Sequence, residues 1–295
     1  MPSYGGQAVI EGVLMRGARF ASMANRAPDG QIVTTSEALS GIYHSAWARA
    51  PFLRGLVILW DTLGLGTRFL TRSANIQTGE DEKIEGPALY LTLGFSLLAG
   101  VAIFFVAPAA LGQATERWLG WSALASNLLE GAIRLAAFLA YLWGVGQMAE
   151  IRRVFAYHGA EHKTINAYES GIELVPEKVA QASLLHPRCG TSFLLTLVVL
   201  SVIVFALLGP MPTALRLLTR ILFIPVLAGL AYEYIRWMAG HLGNPVVHAL
   251  IQPNLALQKL TTREPDLAML EVAITAFKTL LTQESGDENL AGHPL

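Results

Sequence analysis

The hydrophobic pattern sets four long apolar runs among polar segments. Residues 87–111 carry no charged side chain, and about 25 residues of helix suffice to cross a bilayer core. A second run covers residues 125–149 and contains Glu130 and Arg134, four apart and so on one helical face. They read as an ion pair in the outer turn, at the membrane interface, where such pairs are of modest worth; a buried polar site is the alternative. Residues 191–208 form a third run, stopped by Gly209-Pro210-Met211-Pro212. The fourth, residues 215–237, has Arg216 and Arg220 at one end and Glu233 and Arg236 at the other.

The flanking segments follow other periods. Pro28-Asp29-Gly30 between residues 20–26 and 32–37 predicts a hairpin, and with it a small sheet. Residues 51–70 are apolar but broken by Arg54, Asp61, Gly64, Gly66 and Arg68, which suits an interfacial helix better than a span. Residues 77–86 read as an acidic linker, and 241–258 as an apolar, proline-broken segment lying along the membrane. Thr262 and Asp266 are cap residues and Pro265 suits a first turn, so an amphipathic helix is predicted over 267–281, before an unstructured tail. The regions are therefore a polar N-terminal part (1–86), two spans (87–149), a loop (150–190), two more spans (191–237) and a helical tail (238–295). The fold class is mainly α and integral to a membrane. Four transmembrane helices carry a composite cytoplasmic α+β part built from the N-terminal region, the middle loop and the C-terminal helix.

Composition supports this. Only 15% of the 295 residues are charged, against about 25% in soluble domains, and mean hydropathy is +0.45. A net charge of −1 gives no bulk attraction for nucleic acid. The single cysteine, Cys189, excludes an intrachain disulfide and suits a reducing compartment or a metal ligand. The first 30 residues lack the apolar run of a signal peptide. Lysine and arginine then set the orientation: eight lie in residues 1–87, five in 150–190 and four from Arg236 onward. The other two connections hold Arg117, with Arg216 and Arg220 just inside the fourth helix. By the positive-inside rule both termini and the middle loop are cytoplasmic. Small residues (Gly94, Gly100, Gly144, Gly146) permit close helix packing, within a chain or between copies as a homo-oligomer.

The candidate chemistry lies at that inner face. In His158-Gly159-Ala160-Glu161-His162 two imidazoles four apart share a helical face. The spacing is that of the inverted zinc motif, with Glu161 as general base. His186 and Cys189 lie just before the third span and Glu233 near the inner end of the fourth, at the same depth. His158, His162, His186 and Cys189 together would close a four-coordinate structural zinc site; three protein ligands, with Glu233 as a candidate third, would leave a position for water. The bland readings are a turn residue for His186, an inert thiol for Cys189 and a local pair with Arg236 for Glu233. For Glu11 the bland partner is Arg16 or Arg19. In the catalytic version Arg152, Arg153 or Arg188 could hold an anionic substrate group.

Four motifs in order carry a resemblance. Gly5-Gly6-Gln7-Ala8-Val9-Ile10-Glu11-Gly12 with Arg16-Gly17, Tyr157-His158-Gly159-Ala160-Glu161-His162-Lys163, His186-Pro187-Arg188-Cys189-Gly190-Thr191 and Thr261-Thr262-Arg263-Glu264-Pro265-Asp266 resemble the YqhQ-like family of bacterial membrane proteins. That family is described as predicted metal-dependent enzymes. The resemblance implies functional positions at His158, Glu161, His162, His186, Cys189, Glu11 and Arg16, with Glu11 beside Glu161 as a candidate catalytic carboxylate. It implies a bacterial inner membrane as location and supplies no reaction. Two functions remain in view: a zinc-dependent hydrolase of a membrane-associated substrate, or a non-enzymatic scaffold for protein partners tied together by a structural site. A transporter fits less well, because paired broken helices are not evident.

Overall fold

The structure is a computed structural model that describes residues 4–39, 50–78, 86–209 and 211–291. Most of the expected acidic linker and the last four residues lie outside these. Strands β1 (Gly5–Val9), β2 (Gly12–Arg16), β3 (Phe20–Arg26) and β4 (Ile32–Ala38) form an antiparallel meander in chain order. The β3–β4 hairpin falls where Pro28-Asp29-Gly30 predicts it. Asp29 Oδ1 accepts from the Gln31 amide at 3.0 Å, and Gly30 takes the left-handed φ of 85° that closes the turn.

Both faces of the sheet are covered, because side chains alternate along its inner strands. Val13, Met15 and Ala24 point to one side, Leu14, Ala21 and Met23 to the other. The second side packs on Leu65 and Phe69 of helix α1 (Leu53–Thr78). The first side meets α5 (Ala149–Glu169) and α10 (Leu267–Ala291), so that Tyr4, Met15, Tyr157, Ile165, Leu270 and Phe277 share one core. Three stretches far apart in sequence thus pack into one core. The short helix α6 (Pro176–Val179) adds Val179 to that core. Helix α10 extends past residue 281 to Ala291, through most of the stretch expected to be an unstructured tail.

Among the described residues, four helical segments are long and apolar enough to cross a membrane. The first is composite: α2 (Pro87–Val101) passes through a π-turn (Ala102–Val106) into α3 (Ala107–Leu119). The others are α4 (Ala123–Val145), α7 (Gly190–Leu207) and α8 (Thr213–Ala239). Helix α9 (Pro245–Thr261) then packs against α7. It runs unbroken through Pro253, which costs one helical donor without ending the helix. Asn244 starts it by accepting from the Val246 amide at 2.9 Å.

One expectation is corrected within the spans. Glu130 and Arg134 are not an interfacial pair; each is 1% exposed. Arg220, brought in by α8, reaches Glu130 at 2.9 and 2.8 Å, while Arg134 binds it at 2.7 Å. Arg216 joins through Glu116 at 2.6 Å, and Arg216 and Arg220 share Asn127 Oδ1 at 2.5 and 2.9 Å. The i,i+4 spacing is local, but burial comes from a partner helix 90 residues away.

Candidate metal centre

Helix α5 carries His158, Glu161 and His162, and two backbone carbonyls fix both imidazoles. Nδ1 of His158 donates to Thr261 O at 2.8 Å, and Nδ1 of His162 donates to Leu184 O at 2.6 Å. A carbonyl only accepts, so Nδ1 carries a proton in both rings, and in the neutral imidazole the lone pair is then on Nε2. That is the arrangement in which neighbouring groups orient metal-binding histidines. Cys189 is the N-cap of α7 and sets Sγ 3.3 Å from His158 Nε2 and 3.1 Å from Thr191 Oγ1. Ligand atoms of His158, His162 and Cys189 lie within 4.8 Å of one another. His162 Nε2 is buried with no hydrogen-bond partner. An orphaned buried acceptor costs about 1–3 kcal/mol, and a cation there would remove that cost. Two imidazoles and a sulfur suit zinc among the common divalent metals.

His186 borders this group without joining it. Its ring centroid lies 5.5 Å from that of His162, and its Nε2 is also buried and unpartnered. Burial, with His162, Arg188 and His158 nearby, pushes its pKa down to about 3, so the ring is neutral. Gln258 clamps its backbone in both directions: the His186 amide donates to Oε1 at 2.9 Å and Nε2 donates to His186 O at 2.8 Å.

Glu161 stands beside the ligands, with its carboxylate oxygen 3.8 Å from His158 Nε2 and its side chain 5% exposed. Burial pushes its pKa up to about 7, opposed by His158 and by the Gly6 amide that donates to it. Strand β1 comes this close because residue 6 is glycine. A Cβ there would lie 2.8 Å from Glu161 Cγ.

The remaining candidates sit elsewhere. Glu11, at the β1–β2 turn with φ 51°, accepts from Arg153 at 2.6 and 2.5 Å and from Tyr157 at 3.3 Å. The Arg153 guanidinium holds its carboxyl below the usual range. Its partner is therefore neither Arg16 nor Arg19, and Glu284 takes Arg19. Glu233 pairs with Arg54 and accepts from the Phe52 amide at 3.1 Å, tying α1 to α8 and standing outside the ligand group. Its partner is Arg54 and not the adjacent Arg236. Of the arginines considered for substrate binding, Arg153 is held by Glu11, Arg188 by Glu169, and Arg152 donates to Gly146 O at 3.3 Å.

Sequence reasoning missed the groups that hold the site's side chains and its border: the Leu184 and Thr261 carbonyls on the two histidines, Gly6 on Glu161 and Gln258 on His186. One signal was present. Gly159 sits between the two histidines, and a Cβ there would come 2.1 Å from Arg263 O. Its smallness lets the Thr261-Thr262-Arg263 segment lie on α5, where the Arg263 amide donates to Phe155 O at 2.9 Å.

The family described as "Protein of unknown function (DUF1385)" matches residues 50–283. The "Uncharacterized protein YqhQ" of Bacillus subtilis (strain 168) is 33% identical over 302 residues, which cover 97% of this chain and 95% of that protein. No solved structure matches. With most of its length matched by that description, and a YqhQ relative aligned nearly end to end, the chain belongs to the uncharacterised DUF1385 family.

Proposed function

We propose that the chain is a multi-pass protein of the bacterial inner membrane, with both termini and the α5 centre cytoplasmic, and that the centre holds a zinc-type ion for hydrolysis of a membrane-associated substrate. One observation carries the reading: two Nε2 lone pairs and one sulfur converge on a common point, with both imidazole protons held away by backbone carbonyls. His158, His162 and Cys189 are the ligands. Three protein ligands leave a coordination position for water, the arrangement of catalytic sites. The ion would supply Lewis acidity and lower the pKa of its water towards about 7. Glu161 is the general base, being buried, adjacent and held by the Gly6 amide. Cys189 caps a candidate span, so the centre lies at the membrane boundary and a lipid-borne or membrane-anchored substrate reaches it most directly.

The test is metal analysis of detergent-purified protein beside His158→Ala, His162→Ala and Glu161→Gln. About one zinc per chain, lost in both histidine variants and kept in Glu161→Gln, is expected. Turnover of a substrate found by screening should fall about 10²–10⁴-fold in Glu161→Gln, the usual worth of a general base. Well-folded wild-type protein without metal would end the reading.

The buried, unpartnered His186 Nε2 favours a second reading, a non-enzymatic scaffold or assembly factor. There His186 closes a four-ligand structural site and the partners are proteins. In that case His186→Ala loses metal as fully as His158→Ala, and Glu161→Gln has no effect in cells.

A further inference from the structure

The arginine cluster inside the spans has no part in the metal centre. We propose that it is a binding site for a phosphate group, borne by an anionic phospholipid or free in solution. The inference rests on the four spans lying in a bilayer and not on the metal reading.

The argument starts from charge. Arg134, Arg216 and Arg220, at most 3% exposed, face one buried carboxylate, Glu130, and one at the rim, Glu116, whose side chain is 23% exposed. Among the described residues, three guanidiniums against two carboxylates leave one positive charge in excess. Between Arg216 and Arg220 the shared acceptor is the neutral amide of Asn127, where an aspartate would have balanced the charge. An uncompensated cation among apolar helices is strongly unfavourable unless an anion meets it.

The arginines are not equally committed. Arg134 is fixed by Glu130, by Ser201 at 2.9 Å and by Phe104 O in the π-turn at 2.8 Å. Arg220 grips Glu130 twice and stacks on Phe205, 4.3 Å from its centroid. Arg216 donates to Glu116 and Asn127, but its Nε is buried without a hydrogen bond and meets Glu130 Oε2 only as an ion pair at 3.5 Å. Arg216 lies in the first turn of α8, whose N-cap, Pro212, offers no side-chain cap. The helix dipole there adds to the pull on an anion. A guanidinium fork matches phosphate oxygens in geometry as well as charge.

Position favours a headgroup. Glu116 is near the end of α3 and Arg216 near the start of α8, at the ends of these helices remote in sequence from the α4–α5 and α7 junctions that carry the metal centre. Exposed Trp118 and Trp121 flank the α3–α4 turn, as aromatic side chains do at headgroup level.

The experiment uses the full chain, stripped of phospholipid in detergent, and follows thermal unfolding during titration with inorganic phosphate. The same protein is then placed in nanodiscs of phosphatidylcholine with and without phosphatidylglycerol. Arg216→Gln and Asn127→Asp are compared with wild type; Asn127→Asp supplies the missing negative charge and keeps the fold testable. A saturable upward shift in the wild type is expected, with apparent affinity weakened at least ~10-fold in both variants, about 1.4 kcal/mol. A shift with phosphate alone marks a free oxyanion; one only with phosphatidylglycerol marks a lipid. No wild-type shift with either probe, or an equal shift in both variants, overturns the proposal and leaves the cluster as an interhelical clasp.

Discussion

An imidazole can serve as a ligand only when its proton is held on the other nitrogen, and at His158 and His162 main-chain carbonyls do this. The arrangement depends on side chains that touch no ligand directly. Gln258 satisfies both backbone groups of His186 in a fully buried position. Gln258→Leu should therefore cost about 1–3 kcal/mol, the penalty of a stranded buried polar group. It should appear as a lower unfolding midpoint with zinc content unchanged if His186 is not a ligand. Glu11 gives a pH dependence. Its pKa is lowered from 4.5, first by the hydrogen bonds from Arg153, against the opposing effect of burial. The folded state thus binds this proton less readily than the unfolded one, so the stabilisation is present above pH 4.5 and lost as pH falls through the folded value. With Arg153 half-exposed, the pair contributes about 0.2–1 kcal/mol. Acid unfolding curves of Arg153→Met should show a correspondingly shallower loss of stability below that pH; an unchanged curve would refute the assignment.

Among elements, the local signals were the legible ones. The hairpin follows from Pro28-Asp29-Gly30, and the four long apolar helices follow from the four apolar runs. His158 and His162 share a face because four residues make about one helical turn. What could not be read was every contact made across the sequence. The Glu130–Arg134 spacing suits a surface pair and a buried one equally, and only Arg220 from α8 decides between them. Glu11 and Glu233 have arginines nearby in sequence, yet their partners come from α5 and α1. Thr262 and Asp266 read as helix caps, which is true of Asp266, whose Oδ1 accepts from the Met269 amide at 2.8 Å. Their segment also holds His158, and no periodicity reports that. Gly159→Ala tests this. The added methyl would meet Arg263 O and press the 261–263 segment off α5. Overpacking of this kind costs about 1–3 kcal/mol, and zinc affinity should drop because the Thr261 carbonyl moves with the segment. Tight zinc binding in folded Gly159→Ala would separate that segment from the centre.

At the scale of the molecule, the candidate metal centre depends on a core assembled from three remote stretches. Helix α5 continues almost directly from the apolar helix α4, but α10 closes the face that packs on the sheet. Leu270, Phe277 and Leu280 of α10 are fully buried there. Burial of each is worth about 1.5–3 kcal/mol, so their joint loss rivals the ~5–15 kcal/mol that keeps a typical domain folded. Ending the chain after Asp266 removes all three while retaining Thr261 and every proposed ligand. The four apolar segments precede the cut, and their insertion should be untouched. The expected product is membrane-inserted protein whose β1–β4 and α5 regions are digested by protease and whose zinc is gone. Metal content per inserted chain and the protected fragments would measure both. Retained zinc with a digested sheet would mean that α5, α7 and the Thr261 segment hold the ion unaided, making the composite core a covering for the centre and not its support.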